Sequence, residues 1–119
     1  MHMNTTHSKE LLKGTLAAII LNLLAEEGKM YGYQMTKRIK ELSDEKILVK
    51  EGSLYPALHK LEADGAVAVE TVHIGKRVRR YYRLTPSGKT VQKDKLKEIA
   101  AFMDTLTGML FPNAKNPAL

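Results

Sequence analysis

The side chains best suited to meeting a ligand fall in one stretch, Gly52-Ser53-Leu54-Tyr55-Pro56-Ala57-Leu58-His59-Lys60-Leu61-Glu62-Ala63-Asp64-Gly65. Ser53, Tyr55, His59 and Lys60 bring a hydroxyl, a phenol, an imidazole and an ammonium, with no carboxylate before Glu62. Donors without an anionic neighbour suit a polyanion, and on a helix narrow enough for the DNA major groove they can reach phosphates and base edges. Leu54, Leu58 and Leu61 recur at i, i+4 and i+7, which gives the same helix an apolar back. Pro56 is expected within the first turn, where a missing N–H costs little, and Asp64-Gly65 supplies a left-handed stop.

A second concentration lies at Lys76 to Arg83, where five of eight residues are Lys or Arg and none is acidic. Such a run is by default a solvated face. Next to a donor-rich helix it is better explained as a contact to phosphate, with Lys76, Arg77 and Arg79 as the cations and Gln34 and Lys37 assisting from a preceding helix. Two of these assignments have a plainer alternative: Tyr55 could pack against the preceding helix, and His59 could simply be exposed.

Other chemistries find little support. The chain has no cysteine, and His2, His7, His59 and His73 are scattered without metal-ligand spacing. No nucleophile elbow and no phosphate-cradling glycine loop occurs. The expectation is a protein with no catalytic residues, no metal and no cofactor.

The elements that would hold these residues read in order. A first helix is expected from about Ser8 to Glu27, capped by Thr6 or Ser8 and ended by Gly28. Its apolar positions, including Leu12, Leu16 and Ile20, exceed one stripe, so two buried faces are implied. A second helix covers Tyr31 to Leu42 with Met35, Ile39 and Leu42 inward, and Ile47-Leu48-Val49 is β-prone. After Gly65 the period changes to two. Val67, Val69 and Thr71 mark one strand, Val78, Arg80, Tyr82 and Leu84 its return, and His73 to Arg77 the turn between them. Tyr82 is expected in the core and Tyr81 outside it. Thr85-Pro86 opens a last helix whose Leu96, Ile99, Met103, Leu106 and Leu110 are spaced 3, 4, 3 and 4, widened by Phe102 and Met109. The helices and hairpin already close a core, so this seam is expected to dock on a second copy, against the spare face of the first helix.

The class is therefore mainly α with a small β-hairpin (α+β): a winged helix-turn-helix at 8–84, a dimerisation helix at 85–111 and a disordered tail at 112–119. With 119 residues there is room for one such domain. The formal charge of +6 favours nucleic acid over a membrane surface. The longest apolar run, Leu16 to Leu24, is broken by Asn22 and spans about half a bilayer. With no signal peptide apparent, a cytoplasmic protein is expected. Met1-His2 could be a cloning scar.

Three motifs resemble the PadR-type winged-helix transcriptional regulators. They are Tyr31-Gly32-Tyr33-Gln34-Met35, the stretch Gly52 to Glu62, and Arg80-Tyr81-Tyr82-Arg83-Leu84-Thr85-Pro86-Ser87-Gly88, and the likeness spans about Leu11 to Leu110. The resemblance implies a bacterial homodimeric repressor that joins its copies through the first and last helices, here through Leu12, Leu16, Ile20, Leu96, Ile99, Phe102, Met103, Leu106 and Leu110. The single last helix resembles the short subfamily. Its partner would be double-stranded DNA carrying a pseudo-palindromic operator. Some relatives also take a small hydrophobic or phenolic effector at the dimer centre, using an aromatic on the last helix. At the matching place this chain has Ile99, with Phe102 about a turn on, a departure that leaves room for a greasier pocket. The competing expectation is a protein-interaction module whose basic wing meets an acidic partner.

Overall fold

The computed structural model describes residues 6–115, with side chains to Asn113; the expectations for Met1-His2 and for residues 116–119 lie outside that range. Its elements are α1 (Lys9–Lys13), α2 (Leu16–Glu27), β1 (Lys29–Tyr31), α3 (Gly32–Leu42), α4 (Glu51–Ala63), β2 (Val67–Ile74), β3 (Arg77–Leu84), α5 (Pro86–Leu110) and α6 (Pro112–Lys115). The strands form one antiparallel sheet in the order β1-β3-β2.

The core is built from the faces that the periodicities select. Ile20, Leu21 and Leu24 of α2, Met35 of α3, Leu54 and Leu58 of α4 and Tyr82 of β3 are all essentially inaccessible. Burial of each such aliphatic side chain contributes roughly 1.5–3 kcal/mol, which is what holds α4 against the body despite its weak helix-forming composition. The end of α4 is set by Gly65 at φ +79. There the Ala66 N–H reaches the Leu61 carbonyl (2.9 Å) and the Gly65 N–H the Glu62 carbonyl (3.0 Å), a Schellman closure.

The last helix is fixed to this exit. Thr85 Oγ1 accepts the Gly88 N–H (3.0 Å) as N-cap, while the Thr85 and Ser87 hydroxyls donate to the Gly65 carbonyl at 2.6 and 3.1 Å. From there α5 runs 25 residues, about 37 Å of helix. It packs on α2 near its start and then projects, which accounts for the longest molecular dimension of 61 Å.

Several expectations need correcting. The first helix is two: α1 ends at Gly14, and Thr15 turns back, its N–H and hydroxyl both donating to the Leu12 carbonyl, before α2 begins. A glycine followed by a β-branched residue is a weak point in any helix, and here it breaks one. Ile47-Leu48-Val49 forms no strand; Val49 is buried from an extended loop. The third strand is instead Lys29–Tyr31, paired with Arg83, Tyr82 and Tyr81 of β3. Leu42 is exposed, not inward, because the chain leaves the helix there. Pro56 lies inside α4, beyond the first turn, so the helix forgoes one hydrogen bond. The wing turn is tighter than His73 to Arg77. Ile74 pairs with Arg77, leaving Gly75 and Lys76 as its two central residues, with Gly75 at φ +61 as a type II′ turn requires. Finally, the first residues of the expected disordered tail, Pro112–Lys115, form a helical turn.

Candidate nucleic-acid interface

On α4 the donor-rich front is present but uneven. Ser53, His59 and Lys60 are exposed. Lys60 spends part of its charge on Asp64, one turn on, at 3.4 Å, an exposed pair that is weak and readily exchanged. Tyr55 is half-buried, its ring tilted against His59 with centroids 6.4 Å apart and its hydroxyl lying against the Cα of Gly32. Both expectations for Tyr55 thus have a footing: it packs on the start of α3, and an edge of it remains open.

On α3, Lys37 is exposed and lines a groove with Tyr33, Thr36, Lys40 and Leu48. Gln34 is exposed as well, but its Oε1 accepts the Tyr31 N–H at 3.0 Å, which ties the side chain down and leaves its amide nitrogen as the donor to offer a ligand. The reason is local: the residue three places into a helix can reach back to cover an orphan N–H. Arg38 is taken up by Glu27 (3.6 Å) and Glu41 (3.5 Å).

On the wing, Lys76 and Arg77 are exposed, and Arg79 is half-buried with its guanidinium 4.4 Å from the centroid of the Tyr31 ring. Tyr31 meets Tyr81 edge-on at 5.4 Å. Lys29 lies 5.5 Å from the Tyr81 centroid and pairs with Glu70 at 3.1 Å. The outer face of the sheet is therefore a ladder running Arg79, Tyr31, Tyr81, Lys29, Glu70. The places of Tyr31 and Lys29 in this ladder are not legible in the sequence, because they follow from a strand of three residues, too short to show an alternation.

The two halves meet at one corner. Tyr55 of α4 touches Gly32, Arg79 of the wing covers Tyr31, and these receiving residues are neighbours in the chain. A recognition helix and a basic wing joined at such a corner form the winged-helix arrangement. The sequence pattern of the Transcriptional regulator PadR-like family matches residues 20–94, from within α2 to within α5.

The chain belongs to the PadR-like family of transcriptional regulators.

It is 39% identical over 89 residues to Transcriptional regulator Rv3488 of Mycobacterium tuberculosis, a match covering 71% of this chain and 80% of that one. A transcriptional regulator from Clostridium thermocellum has a TM-score of 0.80 at 32% identity, covering 86% of this chain and 99% of its own. Bacillus subtilis PadR, solved in complex with operator DNA, has a TM-score of 0.63 at 35% identity; the likeness covers 69% of this chain and 46% of that one. PadR-like proteins are regulators and not enzymes.

In this PadR-like chain the apolar seam is largely uncovered. Leu96, Phe102, Met103, Leu106 and Leu110 are exposed, whereas Ile99, Leu12 and Leu16 are half-buried. Ile99 and Leu96 close a groove with Ala18, Ile19 and Leu23 of α2 and Ile39 and Leu42 of α3. Ile20 is a correction: it is fully buried among its own chain's core residues and offers no surface to a partner. Among the described residues no helix is long and apolar enough to cross a membrane.

Proposed function

We infer that this PadR-like regulator is a cytoplasmic homodimeric repressor. Residues 8–84 hold a pseudo-palindromic operator in double-stranded DNA, and residues 85–111 join the two copies. The observation that carries the reading is the corner at Tyr31-Gly32, on which α4 and the wing converge from two sides. Ser53, Tyr55, His59 and Lys60 face the groove; Lys37, Lys76, Arg77 and Arg79 neutralise phosphate, and Gln34 contributes its amide N–H. Two such units related by a twofold axis span successive major grooves roughly 34 Å apart. The likeness to a relative solved on operator DNA supports the same partner for this chain.

The second copy is supported by the exposed row Phe102, Met103, Leu106 and Leu110, an apolar strip that a lone chain leaves in water. A small hydrophobic or phenolic effector fits the apolar groove beside Ile99, and its binding would shift the spacing of the two recognition helices.

The test is binding to a random-sequence duplex across salt. Retention at low salt that falls by about 10³ or more between 50 and 200 mM is expected for six or more phosphate contacts per dimer. No retention at low salt would favour a protein-docking module instead. Selection from a random duplex pool then supplies the operator, and candidate effectors are scored by release from it.

A further inference from the structure

We propose that Tyr31 is a positioning residue for DNA binding: its ring holds the Arg79 guanidinium ready at the cleft where the wing leaves the body, so that a phosphate of the duplex is met by an arginine already in place. The inference rests on the DNA-binding reading above and adds a role for a residue outside the donor set.

The register explains why Tyr31 can do this. Its direct partner on β3 is Tyr81, so Arg79 is its diagonal neighbour on the same face of the sheet, within reach of a long side chain. Tyr31 is also the last residue of β1. Beyond it β3 has β2 alone for a neighbour, and the sheet narrows from three strands to the two that project. On the face that Tyr31 and Tyr81 share, Arg79 is thus the first wing cation past the body, and Tyr31 the last body residue able to brace it. Tyr81, edge-on to Tyr31 at 5.4 Å, keeps the bracing ring from turning.

Two cations flank this pair of rings, and their surroundings differ. Lys29 is matched by Glu70 at 3.1 Å. Arg79 has no carboxylate within ion-pair distance among the described residues, and it lines a cleft with Tyr31, Tyr33, Arg77 and Val78. A guanidinium stacked on a ring keeps its five N–H donors in the plane, free to meet an oxyanion from the edge. It has also given up part of its rotamer freedom before the duplex arrives, which lowers the entropic penalty of contact. The arrangement therefore assigns Lys29 to the sheet and Arg79 to the ligand.

A double-mutant cycle on duplex affinity tests this, with Tyr31→Leu, Tyr31→Phe and Arg79→Ala in the full chain and a random-sequence duplex at low salt. Tyr31→Leu is expected to weaken binding roughly two- to fivefold per subunit, and Tyr31→Phe to leave it unchanged. In the Arg79→Ala background Tyr31→Leu should weaken it no further. A readout free of DNA accompanies the cycle: the Arg79 side-chain methylene protons should be shifted upfield by the ring in the wild type and in Tyr31→Phe, but not in Tyr31→Leu. Equal losses in both backgrounds would mean that Tyr31 serves only the start of α3 and would overturn the inference alone, as would binding indifferent to Arg79→Ala. A wild-type chain that holds no duplex at low salt would remove the DNA-binding reading and this inference together.

Discussion

Gln92 Nε2 donates to Asn22 Oδ1 at 3.0 Å, joining the start of α5 to the middle of α2, with Gln92 buried and Asn22 half-buried. The pair fixes which face of α5 lies on the body and therefore which face is left exposed. Replacing one partner strands the other: Gln92→Leu should lower stability by about 1–3 kcal/mol because the Asn22 carbonyl oxygen loses its donor. Converting both to leucine should recover most of that loss. Urea melts of the two single variants and the double close the cycle, and simple additivity would show that the two amides do not act as a pair.

Two glycines are tight for different reasons, and the difference sets the size of the effect. A Cβ on Gly32 would run into the hydroxyl end of Tyr55, a side chain that can swing aside. A Cβ on Gly88 would collide with the backbone carbonyl of Ala66, which the Thr85 and Ala66 hydrogen bonds hold in place. Gly88→Ala should therefore destabilise by about 3 kcal/mol or prevent folding, whereas Gly32→Ala should lose about 1 kcal/mol and displace Tyr55. Thermal melts order the two, and for Gly32→Ala reduced duplex affinity out of proportion to lost stability would place Tyr55 in the interface.

Most of the architecture can be read from local pattern because local pattern is what forms it. Leu54, Leu58 and Leu61 are spaced for one helical face and are buried on it; Thr85-Pro86 announces a helix start and caps one. What could not be read depends on partners distant in the chain. The three residues of β1 are too few to show an alternation, so neither the third strand nor the diagonal contact of Tyr31 with Arg79 was visible. Asn22 stood out as the polar break in an apolar run, but its purpose needs Gln92, 70 positions away, to be seen. The break at Gly14 was a matter of magnitude: one glycine weakens a helix by only about 1 kcal/mol, and sequence alone does not say when that is enough.

Tyr82 contributes a pH dependence. Among the described residues no well-formed hydrogen bond reaches its buried hydroxyl, although the Arg80 guanidinium lies beside it; burial raises its pKa above the ordinary tyrosine value, opposed by that guanidinium. The protonated form is thus favoured by the folded chain. Stability from this source is complete below about pH 10, where the unfolded tyrosine titrates, and is lost as pH rises toward the higher folded value. Tyr82→Phe should abolish that part of the alkaline loss. At neutral pH it should leave stability unchanged or raise it by up to about 1 kcal/mol, since a stranded hydroxyl is removed. Denaturant melts at neutral pH and above pH 10 decide it; equal alkaline slopes in both proteins would place the titrating group elsewhere.

The turn after α3 offers a change in the opposite direction. Asp44 and Glu45 both adopt left-handed backbone, at φ 51° and 64°, while the Glu45 N–H closes on the Lys40 carbonyl at 2.8 Å. A side chain there is strained in a way that glycine relieves, although glycine also adds freedom to the unfolded chain. The balance for Asp44→Gly is a gain of roughly 0.5–1 kcal/mol with duplex binding unaltered. A loss of stability would show that the Asp44 side chain supports the turn by a contact stronger than the strain it carries.

The dimer proposal makes the sharpest demand on α5. Ile99 is half-buried at the rim of the groove between α2 and α3, and Phe102, Met103 and Leu106 continue outward from it along the exposed length of the helix. A carboxylate at position 99 would enter that groove unpaired when a second copy covers it, at a penalty of several kcal/mol per subunit, counted twice across a twofold axis. In a lone chain the same carboxylate can turn to water, so the fold itself should survive. Ile99→Glu is therefore expected to sediment as a folded monomer and to lose operator affinity by far more than any single wing cation, because one recognition helix and one wing bind without their twin. An unchanged dimer after this substitution would mean that the two copies meet through some other surface and that the apolar strip on α5 serves another purpose.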